Sequence, residues 1–527
     1  MAAATPALAA QNPNPRVQLA NNVVPAVVGQ AATGTVASTQ QMSLTLGLAP
    51  SDQAGLTAFI NAVSDPTSPL YQHYLTVAQF AASYGASVSA IDAVSSYLTS
   101  EGLTVGTVYA NHLALDVTGS AAQVENAFGV TLNTYHDAAT NRNFYANAAN
   151  PTVPASIASD IVSVAGLSSY GLRQHYSVAQ QASPSAAARA TGDITPTKAR
   201  GAYNLTSPIS SGYNGSGKTV GLVEFSGYTA SDVAEYNSYY GLGATAASVV
   251  TVDGGTTDKS GEVEDELDIE VEYALAPKAT VKVYEAPNSD AGEVALYAAL
   301  VSNDVNVIST SWGIYESGES SADMTSDNAD FEEAAAQGQS VYAASGDSGA
   351  DDNGSSLSVD FPASSPYVTG VGGTTLTVTS ANAWSSETAW SDSGGGYSSD
   401  FATPSYQTSV NSTGKRAVPD VAADADPNSG WLIYTEGSWQ EVGGTSAAAP
   451  NWAAFTLDYD TAASALGHSA FGYANPFIYS VAESSLYSSV FHDVTSGSNG
   501  HYSAGTGYDE VTGWGSYNGG AFIADEL

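Results

Sequence analysis

Residues 305–349, VNVISTSWGIYESGESSADMTSDNADFEEAAAQGQSVYAASGDSG, contain the pattern that decides the fold. The segments VNVISTSWG and SVYAASGDSG have the apolar character of buried strands, and ADFEEAAAQGQ between them has the composition of a helix. A strand, a helix and a second strand in this order predict a βαβ unit with parallel strands. The fold class is therefore α/β, with a central parallel sheet flanked by helices.

The same alternation extends toward the N-terminus. KTVGLVEF and ATVKVYEAP have the pattern of strands, and SDVAEYNSYYG and AGEVALYAALVS that of helices. In an open parallel sheet the functional site lies beyond the carboxyl ends of the strands. The segments EFSG, SWG and GDSG follow predicted strands, so we expect the site to lie among them.

The N-terminal third has a different organisation. QMSLTLGL, HLALDVTGS and VTLNTYHDA are predicted strands, mixed with helices such as SDQAGLTAFINAVSD, which favours a compact α+β domain. We predict a disordered segment over residues 1–36, this α+β domain over 37–172, and an α/β domain over 196–527. Residues 173–195, which contain Arg173 and Arg189, are expected to form an exposed linker open to cleavage.

The chain of 527 residues carries 52 acidic and 12 basic residues, a formal net charge of −40. Such a surface repels nucleic acid and anionic membranes, so neither is an expected partner. Because few cations remain once carboxylates are protonated, the chain would repel itself little in acid. A salt-adapted protein would share this composition. The absence of cysteine excludes disulfides and thiolate chemistry.

The N-terminus MAAATPALAAQNPNP resembles the small-residue end of a secretory signal followed by a mature start. It lacks a charged region and an apolar core, and a random alanine-rich terminus would look the same. No apolar run is long enough to cross a membrane. We expect a secreted protein.

EVGGTSAAAP, residues 441–450, places Ser446 at the start of a predicted helix, where backbone N–H groups can stabilise an oxyanion. An ordinary helix N-cap serine would give the same pattern. No histidine lies between His175 and His468, so a subtilisin triad cannot be assembled. Ser348 in GDSG resembles a trypsin-type nucleophile, but its βαβ context and the missing histidine argue against that role.

A carboxylate can replace histidine as the base if the enzyme works in acid, and a second carboxylate can share its proton. SGEVEDELDIEVEYALAP, residues 260–277, offers several acid pairs one helical turn apart. Periodicity does not choose among them, and an acidic helix face is usually just solvated. The candidate pairs are Glu262–Glu266, Glu264–Asp268, Glu266–Glu270 and Asp268–Glu272.

These segments, taken in order, resemble the sedolisin family of serine-carboxyl peptidases. The motifs are EVEDELDIEVEYALAPKATVKVYEAP, ISTSWG, AASGDSGA, DFPASSPYVTGVGGT and GGTSAAAP, and residues 40–170 resemble the family's propeptide. The resemblance implies a subtilisin-like catalytic domain preceded by a ferredoxin-like α+β propeptide, and it covers essentially the whole chain.

The resemblance also assigns roles to individual residues. It implies Ser446 as nucleophile, Glu264 as general base and Asp268 as the residue that orients it. Asp347 matches the oxyanion residue, which must be protonated to donate a hydrogen bond. Glu224 and Trp312 match a supporting network behind the aspartate. The other acids of the helix, Glu262, Asp265, Glu266 and Glu270, are expected to face solvent.

A glycine-rich stretch near the C-terminus, FHDVTSGSNGHYSAGTGYDEVTGWGS, is bracketed by Asp493 and Asp509. Its spacing alone favours an ordinary loop, since it is no EF-hand. The family resemblance instead implies one Ca²⁺ ion held by the side chains of Asp493 and Asp509 and the carbonyls of Val494, Gly505 and Gly507.

Together these features predict the precursor of a secreted, acid-active endopeptidase that cleaves proteins or peptides through an acyl-enzyme. Its own propeptide would be an intramolecular inhibitor, removed by autocleavage between about Arg173 and Thr195, and we expect a monomer. Two alternatives stay open. The family also contains tripeptidyl-peptidases, and the same scaffold could serve as a catalytically silent secreted binding protein.

Overall fold

The computed structural model describes residues 15–138, 140–175, 178–181, 193–303 and 305–527. The N-terminal region and the linker contain β1 (Arg16–Gln18), β2 (Gly34–Thr35), β3 (Gln41–Leu48), α1 (Gln53–Ser64), α2 (Val77–Ser83), α3 (Val88–Ser100), β4 (Thr104–Val108), β5 (Ala114–Ser120), α4 (Ala121–Phe128), β6 (Leu132–Asp137), β7 (Arg142–Asn147), β8 (Thr152–Pro154), β9 (Ile161–Ala165), β10 (Gln174–His175) and β11 (Val178–Gln181).

The C-terminal region is longer and contains α5 (Pro196–Ala202), α6 (Thr206–Ser210), β12 (Thr219–Glu224), α7 (Ala230–Tyr240), β13 (Ser248–Thr251), α8 (Glu262–Leu275), β14 (Thr280–Glu285), α9 (Asp290–Val301), β15 (Val307–Thr310), β16 (Trp312–Tyr315), α10 (Ser321–Gln337), β17 (Ser340–Ala344), β18 (Asp360–Phe361), β19 (Thr369–Val378), β20 (Trp384–Ala389), β21 (Gly396–Ala402), β22 (Lys415–Val418), β23 (Val421–Asp424), β24 (Trp431–Thr435), β25 (Ser438–Gly443), α11 (Thr445–Leu466), α12 (Ala474–Ala482), α13 (Tyr487–Val490), β26 (Phe491–His492), β27 (Ser516–Tyr517) and α14 (Gly519–Glu526).

The N-terminal domain is built on an antiparallel sheet of order β4-β5-β3-β9. Helices lie between β3 and β4 and between β5 and β9, which gives the ferredoxin-like arrangement that the family resemblance implied. The strand β3 alternates exposed and buried residues at its start and then becomes fully buried, because its second half lies in the middle of the sheet. The predicted α+β propeptide domain is present.

The segment before this domain differs from the prediction of disorder over residues 1–36. Residues 1–14 lie outside the described residues, but from residue 15 onward the chain is paired. Strand β1 pairs with β8, and β2 pairs with β6. Leu19, Val24 and Val27 are buried, so tertiary contacts order a segment whose composition has little local preference.

The C-terminal domain contains an eight-stranded sheet with the path β13-β14-β12-β15-β17-β19-β20, in which β23 also pairs with β19. All of its pairings are parallel except that of β19 with β20. The long helix α11 packs against β15, β17, β19 and β23 and against α8. The predicted α/β class and parallel sheet are therefore confirmed.

The propeptide domain docks on helices α9 and α10 through a shared hydrophobic cluster and through polar contacts. Gln53 donates to Glu332 at 2.8 Å, and Asn111 donates to Asp330 at 2.8 Å. Thr45 donates to the carbonyl of Ala291 at 2.9 Å. This interface covers two helices of the catalytic domain with neutral side chains from the propeptide.

The linker is held against the catalytic domain wherever it is described, which corrects the prediction of an exposed segment at its N-terminal end. Arg173 is only 2% exposed, because its side chain enters a pocket of carboxylates. Strand β10 pairs with β16, and β11 pairs with β25. Ile194 forms a bridge with Trp431. The predicted cleavage candidate Arg189 lies outside the described residues.

Within the described ranges, no helix combines the length and apolar character needed to span a bilayer.

Candidate active site

Three parallel strands deliver polar residues to one edge of the catalytic sheet. Glu224 ends β12, Ser311 follows β15, and Asp347 lies in the loop after β17. Because carboxyl ends of parallel strands meet at one edge, these residues converge, as the sequence predicted. The predicted nucleophile Ser446 reaches the same edge from the first turn of α11.

Ser446 is fully buried in the precursor and follows Gly444, whose φ of 124° is in the region that favours glycine. The carbonyl of Ser446 accepts a hydrogen bond from Ser311 Oγ at 3.1 Å. This contact fixes the first turn of α11 against the end of β15. The nucleophile is thus held on a rigid element next to the sheet edge.

Glu264 and Asp268 lie one turn apart on α8, and both are fully buried. Asp268 accepts a hydrogen bond from Ser311 Oγ, 2.8 Å from its Oδ1 atom. One serine hydroxyl group therefore lies within hydrogen-bond distance of the predicted orienting aspartate and of the nucleophile's own backbone. Burial raises the pKa of Asp268, and the charges of Glu224 and Glu264 raise it further.

Asp347 lies against the start of α11. Its Oδ1 atom accepts hydrogen bonds from Thr445 N at 2.8 Å and from Thr445 Oγ1 at 2.7 Å. Its Oδ2 atom is buried and has no hydrogen-bond partner among the described residues. Burial raises the pKa of Asp347 well above its ordinary value, and the charge of Glu264 contributes in the same direction. A protonated Oδ2 can therefore act as a donor beside Ser446.

The supporting pair also forms, with an additional member. Trp312 Nε1 donates to Glu224 Oε2 at 2.7 Å. The neighbouring charge that acts most strongly on Glu224 is that of Asp265, a residue expected to face solvent. Burial first, and then this neighbouring charge, raises the pKa of Glu224 well above its usual range. Two adjacent buried carboxyl groups are stable here because they can share a proton.

The expected solvent exposure of the other acids on α8 is wrong for most of them. Asp265, Glu266 and Glu270 are fully buried, because α8 is covered by α7, β24 and α11. Glu266 accepts from Thr229 N and Glu270 from Tyr434 N, each at 2.9 Å. Glu262, with 16% side-chain exposure and an ion pair to Lys259 at 3.3 Å, comes nearest to the prediction.

Two residues of this site were not found by sequence reasoning. Ser311 precedes the predicted Trp312 and resembles any strand-end serine, and Asp265 is one of many acids on its helix. Ser348, in the second serine motif, is exposed to solvent and lies in the loop after β17. In the segment SGGGYSS, Gly394 N donates to Gly346 O at 2.7 Å, so this segment packs on the GDSG loop.

Two linker strands lie on either side of the candidate site. In β10, His175 pairs with Trp312, and in β11, Val178 pairs with Gly443. Trp312 follows Ser311 directly, and Gly443 lies shortly before Ser446 in the chain. The site is therefore bordered by backbone edges that accept an extended polypeptide on both sides.

The predicted calcium loop has the chemistry of a hard-cation site. Asp493 Oδ1 lies 3.0 Å from Gly507 N, and Asp509 Oδ2 lies 2.8 Å from Gly505 N, so both carboxylates point into the same loop. Gly507 has a φ of 79°, a turn that glycine allows. Carboxylate oxygens are among the ligands that Ca²⁺ prefers, and this loop supplies two such groups. The residues present are compatible with the ion.

A separate acidic group lies away from this loop. Carboxylate oxygens of Glu293, Glu319 and Asp327 are within 4.8 Å of one another, and all three residues are buried. Such a group could bind a metal ion. In the precursor the guanidinium group of Arg173 contacts Glu293 and Glu319.

Comparisons with known proteins agree with this architecture. Residues 29–170 match the family model for the pro-kumamolisin activation domain, and residues 244–459 match the subtilase family model. The chain is 34% identical to kumamolisin from Bacillus sp. (strain MN-32), covering 92% of this chain and 91% of that protein. It is 28% identical to tripeptidyl-peptidase 1 from Canis lupus familiaris, over 93% and 92% of the two chains.

Among solved structures, Pseudomonas sedolisin, a serine-carboxyl proteinase complexed with two molecules of pseudo-iodotyrostatin, aligns with a TM-score of 0.57 at 32% identity. That alignment covers 64% of this chain and 98% of the sedolisin chain, as expected when a propeptide precedes the catalytic domain in one of them. An activation domain, a subtilisin-like domain and the identity to kumamolisin show that this chain belongs to the sedolisin family of serine-carboxyl peptidases.

Proposed function

We propose that the chain is the precursor of an acid-active, secreted endopeptidase in which Ser446 is the nucleophile. The observation that supports this most strongly is the juxtaposition of a buried serine, the Glu264–Asp268 pair and Asp347 at one edge of the parallel sheet. No histidine is available between His175 and His468 to serve as base. A carboxylate base is the chemistry that remains.

In the proposed reaction Ser446 Oγ attacks a peptide carbonyl while Glu264 accepts the hydroxyl proton. Glu264 then gives that proton to the leaving amine, and water hydrolyses the acyl-enzyme. Asp268, itself fixed by Ser311, would orient Glu264 and share its proton. The tetrahedral oxyanion would be stabilised by the protonated Asp347.

Activity in acid follows from the roles of two carboxyl groups, Glu264 as the base and Asp347 as the donor to the oxyanion. Asp347 can donate only when protonated, and a carboxylate there would repel the oxyanion. A histidine base would be mostly protonated in acid, whereas a glutamate stays partly ionised. A pH–rate profile of the wild type beside Glu264→Gln and Ser446→Ala tests the assignment. Activity of either variant at a wild-type level, or a neutral optimum, would contradict it.

Autocatalytic processing in the linker is supported by the position of β10 and β11. The chain pairs with β16 on one side of Ser446 and with β25 on the other, which is how a substrate would be held for cleavage. We propose that the cut falls between these two strands and frees the catalytic domain. N-terminal sequencing of the acid-activated protein measures this, and a first residue well outside the stretch from His175 to Val178 would contradict it.

The calcium assignment rests on the loop geometry. Asp493, Asp509 and the carbonyls of Val494, Gly505 and Gly507 would hold one Ca²⁺ ion, which when bound would cross-link the C-terminal loop electrostatically. The ion has no proposed part in the chemical steps. Its contribution is to the stability of the catalytic domain.

Endopeptidase activity is favoured over tripeptidyl-peptidase activity by the path of the linker. The propeptide chain continues without interruption into β10, so the acyl side of the site admits a polypeptide rather than a free N-terminus. An internally quenched peptide and an N-terminally free tripeptide amide distinguish the two. Faster hydrolysis of the internal bond is expected, and exclusive release of tripeptides would support the alternative activity that the dog relative's name describes.

We also propose that the protein is secreted and monomeric. Its acidic composition and signal-like N-terminus support export. Fractionation of the expressing culture tests the first point, and light scattering of the purified precursor tests the second. Retention inside cells, or a mass of a dimer, would contradict them.

A further inference from the structure

A pocket of carboxylates that the proposed catalytic steps do not use lies beside the site. Asp290 and Glu293 come from α9, Glu319 from the turn before α10, and Asp327 from α10. All four are buried, with at most 4% exposure. The whole pocket belongs to the catalytic domain.

The pocket holds an arginine side chain from the propeptide side of the linker. Arg173 Nη1 lies 2.7 Å from Asp290 Oδ1, and Nη2 lies 2.8 Å from Glu319 Oε1 and also contacts Glu293. A planar guanidinium group can meet several carboxylates at once, which a single ammonium group cannot do with the same geometry. The carboxylates of the pocket therefore recognise the guanidinium group of an arginine side chain.

The backbone of this arginine is held as well. Arg173 N donates to Asn288 Oδ1 at 2.8 Å, and Asn288 Nδ2 donates to Arg173 O at 2.9 Å. The next two residues, 174 and 175, pair with Gly313 and Trp312 of β16. Backbone pairing along an edge strand combined with a side-chain pocket is a general mode of peptide recognition. The arginine thus belongs to an extended chain that pairs with β16 in its next two residues.

A second observation is that the pocket contains an acid whose carboxyl oxygens have no hydrogen-bond partner within the described part of the chain. Asp327 is fully buried, and neither of its carboxyl oxygens has a hydrogen-bond partner among the described residues. A buried carboxylate without a positive partner is costly. The catalytic domain has no basic residue between Lys282 and Lys415, the region that supplies the whole pocket. Once the propeptide leaves, this region of the catalytic domain supplies no basic side chain of its own to the pocket.

We propose that this pocket is a substrate subsite for a basic side chain, arginine in preference to lysine, on the acyl side of the scissile bond. In a substrate, the basic residue would lie immediately before the two residues that pair with β16. Arg173 occupies that position in the precursor. The subsite rests on the proposed endopeptidase function and adds a substrate class to it.

The test uses enzyme activated from the full chain and a set of internally quenched peptides of one sequence. A single arginine is moved one position at a time through the acyl side, and each peptide has a partner with citrulline, which keeps the shape but lacks the charge. We work at the upper end of the active pH range, where more carboxylates are ionised. At one position kcat/KM should be at least about tenfold higher with arginine, the range expected for charge-assisted hydrogen bonds.

Variants of the pocket provide the second arm. Glu319→Gln and Asp327→Asn should reduce toward unity the ratio of kcat/KM for the arginine peptide to kcat/KM for its citrulline partner. Glu332→Gln is the matched control, because Glu332 is a buried acid of α10 that accepts hydrogen bonds from Gln53 and lies outside the group of acids that contact Arg173. It should keep the full preference.

The outcomes separate the two proposals. Cleavage of both peptides of every pair at equal kcat/KM overturns the subsite and leaves Arg173 as a contact of the precursor alone. Failure to cleave any peptide overturns the endopeptidase function and the subsite with it. The wild-type comparison needs no variant, so misfolding of a mutant cannot obscure the result.

Discussion

At the scale of single residues, the site contains carboxyl groups whose pKa values are raised by burial and adjusted by individual hydrogen bonds. Burial is the main cause that raises the pKa of Asp347, and only one of its carboxyl oxygens accepts hydrogen bonds from Thr445. Burial also raises the pKa of Asp268, but Ser311 donates a hydrogen bond to this side chain, which favours its ionised form. Environments that separate the pKa values of neighbouring acids allow one type of side chain to serve as base and as donor.

Replacing the proposed base should abolish turnover. We expect Glu264→Gln to reduce kcat by about 10⁴-fold or more, because the serine hydroxyl loses its proton acceptor. Mass spectrometry of the full chain after acidification measures self-processing, which the Glu264→Gln variant should lose. Glu262→Gln, two residues away on α8 and partly exposed, is the control and should process normally. Full processing by Glu264→Gln would show that another group is the base.

Asp347→Asn should change the pH dependence more than the maximal rate. An asparagine can still accept from Thr445 through Oδ1 and donate to the oxyanion through Nδ2, and it does not lose its donor as pH rises. In the wild type the donor is present below the raised pKa of Asp347 and is lost above it. Activity of the variant should therefore extend to higher pH.

The kcat–pH profile measures this shift, with Asp347→Ala as the comparison. The alanine variant has no donor and should lose about 10²–10³-fold in kcat at every pH. If Asp347→Asn falls at the same pH as the wild type, Asp347 is not the group that limits activity on the alkaline side.

Ser311→Ala should impair the reaction without removing any group of the proposed triad. Ser311 Oγ lies 2.8 Å from Asp268 and 3.1 Å from the carbonyl of Ser446. Losing this hydroxyl removes the hydrogen bond that Ser311 donates to the buried Asp268, so the pKa of Asp268 should rise further. The value of kcat should fall, by about tenfold if one hydrogen bond to a charged group is lost. Ser311→Thr, which keeps the hydroxyl, should restore most of the rate. Equal kcat for Ser311→Ala and wild type would contradict this positioning role.

At the scale of elements, α8 is a helix whose acids are buried on several sides. It contacts α7, β24, β12 and α11, so acids that a two-dimensional helix wheel would place on a solvated face reach hydrogen-bond partners instead. Glu266 and Glu270 accept from backbone N–H groups of neighbouring elements. The helix thereby joins the substrate-facing strands to the nucleophile helix.

The C-terminal loop is the second element whose role can be tested separately. Removing calcium with a chelator should lower the melting temperature of the Ser446→Ala precursor, which cannot degrade itself. A ligand present at about a hundredfold above its Kd contributes about 3 kcal/mol to the folded state. Asp509→Asn should be less stable and insensitive to the chelator.

Glu510→Gln is the matched control for this experiment. Glu510 is adjacent to Asp509 but bonds to Tyr397, so its variant should keep the response to the chelator. If calcium removal leaves the melting temperature of the Ser446→Ala precursor with an unaltered loop unchanged, the calcium assignment is contradicted.

At the scale of the whole molecule, the protein contains many buried carboxyl groups with few cations to pair with them. Burial raises the pKa of Glu266 to about 8 and those of Asp323 and Asp352 to about 7. Carboxyl groups that stay protonated at mild pH carry no charge into the interior. The acidic composition is therefore compatible with burial only because protons neutralise these groups.

This predicts that the precursor is more stable in acid than at mildly alkaline pH. These groups have folded pKa values above the ordinary value of about 4, so the folded state binds more protons between about pH 4 and pH 8. Their contribution is complete below about pH 4 and is lost as the pH rises through 7 to 8. His492 opposes this trend, because burial lowers its pKa to about 4 and its contribution is lost as the pH falls.

Melting temperatures of Ser446→Ala at about pH 4 and about pH 8 measure the difference, and the value at the lower pH should be higher. Glu266→Gln keeps the hydrogen bond from Thr229 but removes one titrating group. It should reduce the gap between the two temperatures. A higher melting temperature at pH 8 would contradict the protonated interior.

The sequence by itself determined the architecture and most of the candidate site. Strand and helix periods are local properties, so the βαβ alternation and the edge bearing Glu224, Trp312 and Asp347 could be predicted from segments such as VNVISTSWG and KTVGLVEF. The choice of Glu264 and Asp268 among equally spaced acids came from the family resemblance, because spacing treats all the pairs alike.

Only the tertiary structure decided what depends on contacts between distant parts of the chain. It orders residues 15–36 against β8 and β6, buries Asp265 beside Glu224, and inserts Arg173 into carboxylates of α9 and α10. Ser311 gains its position only when α8, β15 and α11 meet. The physical reason is that burial and charge pairing are set by which surfaces pack together, and a local pattern does not carry that information.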